Sequence, residues 1–155
     1  MIVNLQRKVK IEARGFMPFL IAVRAAVEEV RCCHFSVALV SDKRMQELNA
    51  MFRGKDSTTD VLSFPHEKDE FENVHHTFAP DDTTPEQPHD FLGDIVISAE
   101  QAARQAEANG LTLECEIKQL ILHGVLHLCG FDHETDEGEM NARELELRSK
   151  LGIVG

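Results

Sequence analysis

Apolar and polar positions alternate from Ile2 to Ile11, with Val3, Leu5 and Val9 apolar and Gln6, Lys8 and Lys10 between them. A period of two suits a half-buried strand, open to an interruption. The period then changes. Phe16, Phe19, Leu20, Val23, Val27 and Val30 recur at helical spacing, with Gly15 before them and Pro18 tolerable in the first turn. Phe35 to Val40 reads as a short strand, and Ser41 or Asp42 can cap a helix that turns Met45, Leu48 and Phe52 inward and closes at Gly54. Val61 to Phe64 predicts a strand stopped by Pro65, and Gly93 to Ser98 another, paired antiparallel with it. Ser98 to Gln101 has the spacing of a capping box, and Ala99, Ala102, Ala103 and Ala106 form a narrow stripe ending at Gly110. Thr112 caps a strongly apolar helix with Glu114 and Glu116 in its first turn, where the dipole favours acids. A last amphipathic helix runs from about Asp136 to Leu151, with Met140, Leu147 and Leu151 on one side.

Between the two paired strands the pattern breaks down. From His66 to Leu92 the chain holds eight acids against one lysine, several prolines, and His66, His75, His76 and His89. That is long for a connection inside a compact domain, so a mobile acidic loop or lid at about 66–92 is expected within a single domain spanning 1–155. Its histidines share no helical or turn spacing, which favours a solvated loop over a metal site.

Composition narrows the class only a little. The net charge of −11 argues against indiscriminate nucleic-acid binding, and no DNA partner is expected. Residues 1–60 nevertheless carry ten Lys/Arg against seven Asp/Glu, while residues 61–155 carry six against twenty. An anionic polymer would therefore meet the N-terminal part, although an acidic surface serving solubility alone explains the balance equally well. No apolar run of about 18 residues predicts a membrane span, and the first residues lack the pattern of a signal peptide. Cys32, Cys33, Cys115 and Cys129 show no C-x-x-C spacing and sit among apolar neighbours, which suits reduced core thiols.

The chemistry concentrates in Leu120 to Glu134, L-I-L-H-G-V-L-H-L-C-G-F-D-H-E. His123 and His127 are four apart, so a helix projects both imidazoles from one face. Gly130 can end that helix with φ > 0 and bring His133 back over the same face. Three neutral nitrogens with an open fourth position suit a catalytic zinc, although three imidazoles also accept nickel or copper. Core histidines satisfied by polar neighbours remain the alternative. The spacing matches the extended zinc motif of metzincin peptidases, but Gly124 stands where those enzymes carry a glutamate base. Zinc can still bring the pKa of a bound water to about 7, and a phosphodiester would then need a cation such as Arg53 to clamp its phosphate. Taken alone, an arginine such as Arg53 is usually a solvated side chain, and it gains interest only if the turn lies beside the histidines. Gly124 either clears space beside a metal or lets the helix pack closely on a sheet. Cys129 could close the metal site, Asp132 could accept an imidazole N–H or merely form a turn, and Glu116 reads as a first-turn acid more readily than as a base.

H-G-V-L-H-L-C-G-F-D-H, with L-N-A-M-F-R, T-D-V-L-S-F-P and L-G-D-I-V-I-S, resembles the YbeY family of bacterial metal-dependent endoribonucleases. The four motifs occur in the family's order from Leu48 to His133. The resemblance implies an α+β fold, a small mixed four-stranded sheet packed against helices with the histidine helix central. It implies zinc or a similar ion on His123, His127 and His133, a functional Arg53, and cytoplasmic cleavage of single-stranded RNA. The expected substrate is small-subunit ribosomal RNA, in maturation and ribosome quality control, with ribosomal proteins or an assembly GTPase as further partners. The acidic segment from Glu67 to Asp90 departs from the family's usual short connection. A zinc peptidase or amidohydrolase, and a non-catalytic ribosome-assembly factor with structural zinc, are the competing readings.

Overall fold

The structure, a computed structural model, describes residues 1–30, 33–66, 91–131 and 138–153, apart from the side chain of Glu29. Strand β1 is Ile2–Asn4 and stops well short of Ile11, a correction to the alternation read from the sequence. Gln6 ends it. The buried Gln6 amide donates to the Val9 carbonyl at 2.7 Å and accepts from the Val9 N–H at 2.8 Å, so a side chain takes the backbone bonds a ladder would have used. Helix α1, Met17–Ala26, carries Pro18 in its first turn and buries Phe19, Leu20 and Val23. Its apolar spacing continues through an extended Val27 and a 3-10 turn at Glu28–Val30, which bring Val27 and Val30 into the core.

Strand β2, His34–Val40, leads into helix α2, Asp42–Arg53. The Ser41 hydroxyl caps α2 by accepting from the Arg44 N–H at 3.2 Å. Met45 and Asn49 face inward, whereas Phe52, expected inside, is 59% exposed. The small core beneath α2 (Val40, Met45, Leu62 and Val96) runs out before the helix does, leaving Phe52 only the edge of Phe64, 5.1 Å between ring centroids.

Strands β3, Val61–Pro65, and β4, Phe91–Ser98, complete a mixed four-stranded sheet in the order β1-β2-β4-β3. The first three of these neighbours run parallel, and β3 pairs antiparallel with β4 from Val61↔Ile97 to Pro65↔Gly93. The pairing extends to His66, whose N–H donates to the Leu92 carbonyl at 3.0 Å. The rest of the acidic segment, residues 67–90, lies outside the described residues.

Helix α3, Ala99–Asn109, is capped by the Ser98 hydroxyl, but the return half of a capping box is not made because the Asp60 carbonyl takes the Ser98 N–H at 2.9 Å. The same hydroxyl donates to Asp42 at 2.7 Å, and Arg104 reaches the other Asp42 oxygen at 2.7 Å, tying α2 to α3. Partial burial alone would raise the Asp42 carboxyl, but these groups and Thr58 hold it below its ordinary value. The stabilisation is therefore present above the ordinary carboxylate range and lost as pH falls through the lowered value.

Helix α4, Leu113–Leu128, and helix α5, Glu139–Leu151, finish the described chain, and no described helix is long and apolar enough to cross a membrane. One large core joins α1, α4 and α5 to the inner faces of β2 and β4, through residues such as Val37, Ile95, Ile117, Ile121 and Leu147. The sequence left two roles open for Gly124, and the packing decides between them. A Cβ there would lie 2.8 Å from Ile95 Cγ2 and 3.1 Å from two further Ile95 carbons, so the bare backbone is what lets α4 lie flat on β4. Gly124→Ala should cost about 1–3 kcal/mol by overpacking. Thermal unfolding of the single and double variants checks this: the penalty should largely disappear in an Ile95→Ala background, and additive losses would refute the contact as its cause.

Candidate metal centre

Helix α4 begins where Thr112 accepts from the Cys115 N–H at 3.1 Å, and it ends by a defined turn. Gly130 has φ of 97° and donates to the His127 carbonyl at 3.0 Å, while Phe131 donates to the Leu126 carbonyl at 3.1 Å. This pair of bonds is the Schellman arrangement, which needs a left-handed residue where Gly130 stands. Between these ends α4 buries nine positions, from Glu116 to Leu128, against the sheet and its neighbouring helices. His123 and His127 occupy the remaining face.

Their Nε2 atoms lie 3.0 Å apart, with ring centroids separated by 4.6 Å at an interplanar angle of 74°. Two imidazole nitrogens bound to one tetrahedral zinc at about 2.0–2.1 Å would sit about 3.3 Å apart, so the pair fits a shared ion with little movement. Both rings open into a cleft of about 620 Å³ whose walls include Arg53, Thr59, Asp60, Ser63 and Pro65 as well as Gly130 and Phe131. Arg53, the last residue of α2, is exposed, and no ion pair to another described residue occupies its guanidinium. The structure thus brings Arg53 to the histidines, which spacing alone could not establish. Asp60 is held as wall by its own bonds, accepting from the Val61 N–H at 2.8 Å and from Gln105 at 3.3 Å.

Asp132 and His133 lie outside the described residues. Phe131, immediately before them, is on the cleft wall. Cys129 packs against the main core and is absent from the cleft's lining. The Cβ direction at position 124 points into Ile95, so a glutamate base at that position would meet the sheet before the cleft.

Behind the His123 ring lies a group that the sequence pattern did not reveal. Glu144 of α5 is buried, with one carboxylate oxygen 3.4 Å from His123 Nδ1 and 3.4 Å from Arg148 Nη2. The signal was available: Met140, Glu144 and Leu147 fall on one inward stripe, and an acid within an apolar stripe needs a partner. A second cavity of about 240 Å³ here is lined by Asp60, Glu116, Gln119, His123, Glu144 and Arg148 among others. Glu116, read from the sequence as a first-turn acid, is 6% exposed. Burial pushes its carboxyl up, the Asp60 charge adds to this, and Arg148 opposes it.

The fold and cleft together define a class: a mixed α+β domain whose buried central helix presents paired imidazoles to an open groove that an arginine also lines. Comparison with known proteins makes the class specific. A family model described as Endoribonuclease YbeY matches residues 2–152. The Endoribonuclease YbeY of Nautilia profundicola is 45% identical over 115 residues, covering 74% of this chain and 70% of that one. Its counterpart from Caldanaerobacter subterraneus subsp. tengcongensis is 39% identical over 154 residues, covering 95% and 94%. The solution structure of TM1509 from Thermotoga maritima superposes with a TM-score of 0.59 at 28% identity, covering 97% of this chain and 89% of the other. The chain belongs to the YbeY family of endoribonucleases.

Glu116 yields a prediction whose sign follows from its raised pKa. A carboxyl that binds its proton more tightly when folded adds no cost below its ordinary pKa and its full cost above the raised one. Glu116→Gln should therefore raise the unfolding temperature relative to wild type at pH 7, with the gain shrinking towards pH 4. Melting curves across that range check it, and a difference independent of pH would remove burial of charge as the cause.

Proposed function

We propose that this protein is a zinc-dependent endoribonuclease, specific for single-stranded RNA, that acts on small-subunit ribosomal RNA in maturation and ribosome quality control in the cytoplasm. The observation supporting it above others is that Arg53 lines the same cleft as His123 and His127. His123 and His127 would hold the ion through Nε2, with His133 as the third ligand and Asp132 as the acceptor for a ligand N–H. When bound, the ion would supply Lewis acidity and lower the pKa of a coordinated water to about 7. The rest falls to the chain. Arg53 meets a phosphodiester with two parallel N–H donors, which fixes the phosphate's orientation as a lysine could not. Its positive charge neutralises negative charge growing on the phosphoryl oxygens without taking part in proton transfer. The contact between Gly124 and Ile95 disfavours a peptidase of the usual pattern, because the position of that enzyme's base faces the sheet.

Cleavage of an end-labelled single-stranded RNA tests the proposal. Arg53→Ala should retain stoichiometric zinc and lose about 10²–10³-fold in rate, the effect of removing one preorganised charge-stabilising donor. His127→Ala should lose zinc and activity together. Equal cleavage by all three proteins would sink the assignment, since a contaminant would then be responsible. A casein assay on the zinc-loaded protein should show no hydrolysis.

A further inference from the structure

We propose that Glu144 is a positioning residue for His123: it holds the imidazole in the tautomer with its proton on Nδ1, leaving Nε2 bare and turned to the cleft. The inference rests on the reading of His123 as a metal ligand, and three observations carry it. The Nε2 atoms of His123 and His127 face one another at 3.0 Å, so the Nδ1 edge of His123 points back into the protein. What it meets there is a Glu144 oxygen at 3.4 Å, within ion-pair distance though beyond the roughly 2.7–3.2 Å of an ordinary N–H···O bond. The Glu144 side chain is 8% exposed while that of Arg148, which reaches the same oxygen from one turn further along α5, is 32% exposed. A carboxylate made only for Arg148 could have stayed in water with it. This one is sunk towards the ring, between two completely buried neighbours on its stripe, Met140 and Leu147.

The chemistry gives the placement a purpose. A neutral imidazole has one N–H, and in water it prefers to carry it on Nε2, where it blocks ligation through that atom. A carboxylate accepts and never donates, so beside Nδ1 it favours the form with the proton there. It also fixes the ring's rotation. Glu144 thus readies His123 before any ion arrives, and Arg148 holds the carboxylate's own rotamer from behind.

The test separates this inference from the metal-site reading. Histidine-labelled protein, stripped of metal and held near pH 8, is assayed by long-range proton–nitrogen NMR to find which nitrogen of His123 is protonated. Wild type should show Nδ1–H, and Glu144→Ala should shift the proton to Nε2. Zinc affinity, measured by chelator competition, should weaken about 10–100-fold in Glu144→Ala. Glu144→Gln, whose amide oxygen can still accept, should restore most of both signals. Glu144→Leu fills the space without an acceptor and replaces the alanine variant if that one does not fold. A wild-type His123 protonated on Nε2, or unchanged zinc affinity in the variants that lack an acceptor, overturns the inference. His127→Ala is the control: if it binds zinc as wild type does, the metal-site reading fails, and Glu144 is then left without a ligand to position, so the inference falls with it.

Discussion

Helix α4 lies on β4 with nothing between its backbone at Gly124 and the side chain of Ile95. This contact sets the rest. Once that face is committed to the sheet, and once Ile117, Ile121, Val125 and Leu128 fill the core beside it, the helix has one sector left for polar groups. Both imidazoles stand in that sector. Both open to the cleft on one side, and His123 is backed on the other by the Glu144 carboxylate. The site is thus a consequence of how completely the helix is buried elsewhere.

The two sides of the rings do different work. On the cleft side the Nε2 atoms converge, and Arg53 arrives from the end of α2, a helix separated from α4 by two strands and α3 in the chain. Its position depends on the tie between α2 and α3 through Asp42, Ser98 and Arg104, and on the left-handed Gly54 that ends α2. On the inner side, Glu144, Glu116, Asp60 and Arg148 line one cavity, where Arg148 pairs with Glu144 and also lowers the cost of the Glu116 charge. Such a cluster costs folding free energy, and the raised pKa of Glu116 is the visible part of that cost. Stability given up beside a functional site in return for its geometry is a familiar pattern.

Much of this was legible in the sequence, and the reasons are local. Caps announce themselves by side chains that satisfy the first free N–H groups, so Ser41, Ser98 and Thr112 were found where they act. Period-two and period-3.6 patterns located β2, β3, β4 and α4, since a strand or helix buried on one face must repeat its apolar residues at its own pitch. The four-stranded mixed sheet and central helix followed from the family motifs. Where local reading failed, a longer-range competitor won: Gln6 captured backbone bonds that would have extended β1, and Phe52 outran the small core it was meant to enter.

The chain by itself determined its family, its elements and the pair of imidazoles on one helical face, because each is written in spacings shorter than a few turns. Only the tertiary structure decided which of two roles Gly124 serves, whether Arg53 stands beside the histidines, and what lies behind them. Those placements span 29 residues from Gly124 to Ile95, 70 from Arg53 to His123 in the shared cleft, and 21 from His123 to Glu144. No periodicity spans such gaps. They are set by which faces the sheet leaves free, and a side chain's neighbours at that range are known only once the core has closed.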